Sequence, residues 1–256
     1  MNIVFNSYNT LAAGTATVSR QIVKSLCAGN QADKIWFVLP RTTAFEDIQS
    51  AGNVRLIKLV VPPGPIKWVF RALLDFFLFP LATLLIRPDA VVILANYAPI
   101  GVVGKKIVFM RHPHLVGQAA GASGGGAAKW LERARKSVFV LTLRTADIIA
   151  VQSDYIKGRL LSLYRVGEQK VAVLPNPLSS EIAGFQGGRI TERSGAILYV
   201  SRFYPHKNHC FLLEVARRYA DVFRDRRIRF WITVDAEQAH VDPKVRGAAW
   251  AFLKKI

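Results

Sequence analysis

Ile-Leu-Tyr-Val-Ser-Arg-Phe-Tyr-Pro-His-Lys-Asn, residues Ile197–Asn208, is the stretch around which the rest of the chain is placed. Ile197 to Val200 is a short, apolar, β-rich run and reads as a buried strand. Pro205 breaks that pattern. Beyond Lys207, the residues Leu212, Ala216, Tyr219, Ala220 and Phe223 recur at helical spacing. Arg202 and Lys207 therefore fall between the C-terminal end of a strand and the N-terminus of a helix, where ligands bind in open α/β sheets. Two cations beside a helix N-terminus make a seat for phosphate, because N–H groups and side chains attract the same charge. The plain alternative is a solvated basic loop in a chain rich in Arg.

Composition supports a packed protein with an anionic partner. Of 256 residues, 51% are hydrophobic, enough for a sizeable core. Lys and Arg number 35 against 17 acidic residues, a formal charge of +18. The excess runs through the whole chain and forms no tail. It points to phosphorylated small molecules, a phospholipid surface or nucleic acid. Cys27 and Cys210 stand alone and far apart, which argues for a reducing compartment and against a zinc site. Met1–Ser7 lacks the basic and long apolar regions of a signal peptide and reads as a first strand.

Strands alternate with helices along the chain, the pattern of parallel α/β units. Asn2–Phe5, Ile35–Leu39, Val54–Val61, Ala90–Leu94, Lys106–Met110, Asp147–Val151 and Lys170–Leu174 are candidate strands. A helix is predicted from about Thr15 to Ala28, with Gly14 on the loop before it. Lys129–Leu143 is helical, and Ser153 or Asp154 can cap the helix that follows. Gly117–Gly126 is a low-complexity Gly/Ala/Ser stretch. Ile66–Ile86 is the most apolar segment. Arg71, Asp75 and Pro80 interrupt it, so it reads as a helix buried in the core or touching a membrane, and not as a span. Ser179–Arg193 is polar and carries Gly184, Gly187 and Gly188, as a linker would. Beyond it lie a second strand, Ile228–Val234, and a short helical stretch, Val245–Leu253.

Two runs carry a family resemblance. One is Ser201-Arg202, four residues, then Lys207-Asn208. The other is Ala146-Asp147, an apolar run, Gln152-Ser153, a helix, and Val171-Ala-Val-Leu-Pro-Asn176. Together they resemble the retaining, group 1 (family 4) glycosyltransferases of GT-B fold. The resemblance implies an α/β protein of two Rossmann-like parallel-sheet domains. They would be an acceptor-side domain over 1–178, a linker over 179–193, and a donor-binding domain from 194 to 256 that is incomplete. It implies a metal-independent enzyme without cofactor that moves a sugar from a nucleotide-sugar to a glycan or lipid-linked acceptor, as in lipopolysaccharide or polysaccharide biosynthesis. Arg202 and Lys207 would bind the donor diphosphate. His112 would contact the donor sugar as the catalytic histidine, with His114 competing for the role. Gly14 would let backbone N–H groups approach phosphate or acceptor, although Ala12-Ala13-Gly14 offers one Gly where the family often has two.

The family's downstream pair of Glu residues is absent, and 194–256 supplies two clear strands. The expectation is a C-terminally truncated chain, inactive by itself. Its expected place is the cytoplasm, with the inner face of the membrane as a surface it can touch. A non-catalytic, peripheral membrane-binding α/β protein is the competing reading, carried by Ile66–Ile86 and the net charge. Specific nucleic-acid binding is not expected, because basic and aromatic residues do not interleave. A dinucleotide dehydrogenase is disfavoured, since no Gly-x-Gly-x-x-Gly follows the first strand. No Asp-x-Asp or Cys/His cluster suggests a metal.

Overall fold

The computed structural model describes residues 1–11, 13–29, 32–111, 116, 126–177, 195–201 and 207–233. The chain divides into two compact units, Met1–Phe185 and Gln186–Ile256. The linker read over 179–193, the Val245–Leu253 helix and most of Gly117–Gly126 lie outside the described residues.

The first unit is built on seven parallel strands. They are β1 (Asn2–Asn6), β2 (Lys34–Pro40), β3 (Val54–Leu59), β4 (Ala90–Ile93), β5 (Lys105–Met110), β6 (Ile148–Val151) and β7 (Val171–Val173). Their spatial order is β3-β2-β1-β4-β5-β6-β7. The chain runs outward from β1 to β3, then crosses back to place β4 on the other side of β1. That reversal opens a crevice at the C-terminal ends of β1 and β4.

Helices cover both faces of this sheet because its strands are apolar on both faces. Val91 and Ile93 of β4 enter one core with Val108, Met110, Ile149, Phe79, Phe139, Leu143 and Leu160. The alternate residues, Val92 and Leu94, enter a second core with Phe37, Leu39, Phe45 and Val23. Helix α1 (Ala13–Ala28) brings Val23 to the second core. Helices α4 (Gly126–Thr145) and α5 (Asp154–Leu163) bring Phe139, Leu143 and Leu160 to the first. The Ser153 side chain caps α5 by accepting from the Ile156 N–H at 3.4 Å, as the sequence predicts.

The apolar Ile66–Ile86 segment is one helical rod with a defect. It comprises α2 (Ile66–Leu73), a π-turn (Leu74–Leu78) and α3 (Phe79–Ile86). Pro80 sits in the first turn of α3, where its missing N–H unsettles the preceding turn. Phe79 and Thr83 are buried, and Phe70, Leu74 and Ile86 pack against the first core. The other side faces outward, and of the most apolar stretch within Ile66–Ile86 as a whole only 11% is buried. Trp68, Val69, Phe76, Phe77, Leu84 and Leu85 are all exposed, so Trp68–Phe79 is not a core helix: it contributes Phe70, Leu74 and Phe79 to the core and turns its other side outward.

The second unit pairs β8 (Ala196–Tyr199) with β9 (Arg229–Ile232) in parallel, joined through α6 (His209–Arg218) and α7 (Ala220–Asp225). The expected strand is present, but it is not buried: Ile197 and Leu198 are exposed. Among the described residues, two strands form this sheet, too few to bury both faces.

One glycine holds the entry to the central strands. Gly104, at φ +95°, precedes β5, and a Cβ there would stand 2.4 Å from the Pro88 carbonyl oxygen. Gly104→Ala is expected to destabilise the first unit by about 1–3 kcal/mol through forced left-handed strain. Its thermal midpoint should fall by roughly 2–10 °C. An unchanged midpoint in calorimetry would contradict the close approach.

Candidate functional site

Sequence reading points to two places, one in each unit. In the second unit, the loop between β8 and α6 is pinned at both ends. The Thr233 N–H donates to the Tyr199 carbonyl at 3.3 Å, and the Ser201 N–H donates to Thr233 Oγ1 at 3.1 Å. The Tyr199 hydroxyl donates to the Lys207 carbonyl at 2.9 Å, which fixes where the chain re-enters the helix. Asn208 then takes a left-handed conformation, φ 52°, tolerable for Asn, and α6 begins. Lys207 is exposed two residues before that helix. Arg202 lies outside the described residues.

His209 closes this loop, and the sequence reading missed it. It is buried at the first position of α6, with Nε2 3.0 Å from Ser201 Oγ and its ring edge-on to Tyr199. Burial, and then the neighbouring Lys207 charge, lower its pKa from the usual 6.5. The sequence signal was a histidine immediately after the Lys-Asn pair, on the helix face that also carries Ala216.

In the first unit, the crevice end of the sheet is lined with buried polar groups. Asn6, Ser7, Thr10, Asn96 and Arg111 are each less than a tenth exposed. Ser7 Oγ and Thr10 Oγ1 are 2.7 Å apart, and the Thr10 hydroxyl donates to the Ser7 carbonyl, which tightens the turn after β1. The Tyr8 N–H donates to Asn6 Oδ1 at 3.2 Å. Gly14 is in the first turn of α1 and exposed, not on a loop before the helix. The helix starts earlier than its apolar periodicity because Ala13 is a strong helix former. No Cβ at Gly14 would meet anything within 4 Å, so the space above this turn is open. His112 and His114 lie outside the described residues. Arg111 was also missed: it reads in sequence as one cation among many, yet its guanidinium reaches the Thr15 carbonyl of α1 at 3.1 Å. Among the described residues, no group of three His, Cys, Asp or Glu side chains is placed to hold a metal ion.

A seven-stranded parallel sheet followed by a βαβ unit with a basic loop before its helix is the arrangement of the GT-B glycosyltransferases. Two solved structures of that class superpose on the chain. Sucrose-phosphate synthase from Thermosynechococcus elongatus does so with a TM-score of 0.62 at 14% identity, over 100% of this chain and 67% of its own. The apo form of the lipopolysaccharide outer core galactosyltransferase WaaB gives a TM-score of 0.50 at 14% identity, over 100% of this chain and 71% of its own. At such identities the likeness is one of fold. No curated protein sequence matches the chain. The sequence model of Glycosyltransferase Family 4 matches residues 12–181, well over half of the chain, and the protein belongs to that family. It is a glycosyltransferase, and its class of reaction is sugar transfer.

The buried His209 gives a pH signature. Its folded pKa lies below the unfolded value of 6.5, so above pH 6.5 both states are neutral and the contact is fully present. As pH falls below 6.5 the unfolded chain takes up the proton first, and the second unit loses stability. Hydrogen exchange of β8 and β9 amides should therefore quicken, beyond the intrinsic rate change, between pH 7.5 and 5.5. His209→Gln should flatten that dependence. The same slope in the variant would contradict the assignment.

Proposed function

We propose that the protein takes part in retaining, metal-independent transfer of a sugar from a nucleotide-sugar to a glycan or lipid-linked acceptor, at the cytoplasmic face of a membrane. Family membership supplies the reaction class, and the pinned loop between β8 and α6 is the observation that supports the donor site. In the reaction, the bond from the sugar's anomeric carbon to the diphosphate breaks. A bond from that carbon to an acceptor oxygen forms on the same face, and the acceptor hydroxyl gives up its proton. Negative charge grows on the leaving diphosphate. Lys207, held at its backbone by Tyr199, and Arg202, from the same loop, offset that charge. The α6 N-terminus adds its own partial positive charge. Gly14 leaves space for a substrate group above α1, and His112 contacts the donor sugar; these two roles rest on the family resemblance.

The outward side of Ile66–Ile86 supports the membrane part. By length and composition this helix could cross a bilayer. We place it on the surface, because Phe79 and Thr83 tie it into the first unit. Thr83 Oγ1 accepts from the Val103 N–H at 3.2 Å and donates to the Pro80 carbonyl at 2.9 Å. Tyr97 joins this rod to α4: Arg71 lies over its ring, and Phe139 meets it edge-on. α4 carries a groove lined by Arg133, Lys136 and Arg144, with Val140 and Leu141 between them. Aromatic side chains with adjacent cations suit an anionic lipid surface.

Two experiments test these readings. Arg202→Ala and Lys207→Ala should each weaken binding of uridine or guanosine diphosphate about 10- to 100-fold, as expected for loss of one charge-assisted contact. Undiminished calorimetric affinity in both would remove the donor site. The double variant Phe76→Ser/Phe77→Ser should lose roughly tenfold or more in sedimentation with phosphatidylglycerol vesicles, from lost apolar burial. Wild-type binding should weaken in high salt. Equal binding to neutral and anionic vesicles would rule out the charge contribution.

A further inference from the structure

The C-terminal ends of β2 and β3 gather charged side chains that the function proposed above leaves unused. These two strands lie on the far side of β1 from β4. Arg41 follows Pro40, the last residue of β2, and its N–H donates to the Leu59 carbonyl of β3 at 2.7 Å. The chain then folds back in a 3₁₀ turn, Thr43–Phe45, because the Phe45 side chain is buried in the second core. Glu46 leaves that turn exposed. Lys58 stands opposite Leu39 in the β2–β3 register, on the sheet face that it shares with Val54 and Leu56.

Arg41, Thr42, Glu46 and Lys58 together line a half-open cavity of about 370 Å³. Small-molecule sites span about 300–1,000 Å³, so this one takes a single small polar unit. Lys58 is held in place: Nζ donates to the Ile48 carbonyl at 2.7 Å and to the Glu46 carbonyl at 3.2 Å. An ammonium has three N–H groups, which leaves one donor for a ligand. The Glu46 carboxylate does not pair with this amine, although Lys58 reaches the carbonyl of the same residue. Among the described residues, Arg41, Glu46 and Lys58 take part in no ion pair. Two cations and one carboxylate thus line one cavity without neutralising one another.

That arrangement selects its ligand. A bare anion meets both cations but is repelled by Glu46. A neutral sugar can donate hydroxyls to Glu46 and leaves both cations unmatched. A sugar that carries a carboxylate answers all three groups. Its carboxylate oxygens accept from the Arg41 fork and from the remaining Lys58 N–H, and a ring hydroxyl donates to Glu46. The two cations less Glu46 leave one positive charge, which equals the charge of a single carboxylate. A phosphate monoester carries about 1.5–2 negative charges at neutral pH and exceeds it.

We propose that this cavity binds a sugar carboxylate of the uronic-acid type, as a glycan unit outside the crevice between β1 and β4. The cavity lies two strand spacings, roughly 10 Å, from that crevice, so the unit it holds is not one seated there. That a glycan carries the carboxylate rests on the acceptor class proposed above; the preference for an acidic sugar does not.

The test uses the full chain and saturation-transfer NMR titration at constant ionic strength, with glucuronate, glucose and glucose 6-phosphate as probes. Wild type should bind glucuronate about tenfold more tightly than glucose, and more tightly than glucose 6-phosphate. Arg41→Gln should lower glucuronate affinity about tenfold, the loss of one charge-assisted contact, and leave glucose unchanged. Glu46→Gln makes the cavity more positive by one charge and should reverse the preference toward glucose 6-phosphate. Arg41 and Glu46 are both exposed, so neither substitution removes core packing. Uridine diphosphate, titrated in parallel, reports the loop between β8 and α6, and its affinity should be the same in Arg41→Gln as in wild type. If Lys207→Ala leaves diphosphate affinity intact while Arg41→Gln weakens glucuronate, the donor-loop reading fails and this cavity stands. Glucuronate bound no more tightly than glucose, or equally by wild type and Arg41→Gln, overturns the proposal. So does a wild-type preference for glucose 6-phosphate. Should Arg41→Gln fail to fold, Glu46→Gln decides: the reversed preference supports the cavity, and an unchanged one overturns it.

Discussion

β4 is buried at all four of its positions, and a strand buried on both faces requires helices on both sides of the sheet. Most of the first unit follows from meeting that requirement. Val91 and Ile93 demand the α3, α4 and α5 side, and Val92 and Leu94 demand the α1 side. Parallel connections then bring every strand's C-terminal end to one edge. β1 and β4 are hydrogen-bonded neighbours, but the strand order reverses between them, so the connections leave them in opposite directions. The polar groups at their ends, Asn6, Ser7 and Asn96, are gathered at that edge, with Arg111 after β5 beside them.

The same constraint separates the two units in character. Seven strands support two apolar cores in the first, whereas β8 and β9 leave Ile197, Leu198 and Trp231 exposed in the second. The loop proposed for donor binding is therefore held less by burial than by a few specific bonds. These are Tyr199 to Lys207, Ser201 to Thr233 and Ser201 to His209. A site fixed by hydrogen bonds on a thin sheet depends on each of them, and a buried histidine among them makes it sensitive to acid.

The strands and their order of appearance were legible in the sequence. Apolar runs such as Ile35–Leu39 and Ala90–Leu94 are bounded by Pro40 and by Pro88-Asp89, which stop elements by known chemistry. The Ser153 cap was legible for the same local reason. What depends on distant neighbours was not. The apolar composition of Trp68–Phe79 fits a core helix and an exposed one equally, and only packing against the sheet decides which side faces out. Arg111 is one of 35 basic residues in sequence, and its burial arises from contacts with Thr15, Asn96 and Gln152, all remote along the chain. Lys207 was found because its strand, loop and helix are contiguous; His209 was overlooked because its partner Ser201 matters only once the loop has folded back.

The nucleoside diphosphate proposed to sit at the loop between β8 and α6 is tested most directly by hydrogen exchange of the 256-residue chain, with and without uridine and guanosine diphosphates. One of the two nucleotides should slow exchange in peptides spanning residues 197–213. Unchanged exchange there with both nucleotides, at concentrations where binding is detected by calorimetry, would contradict that placement.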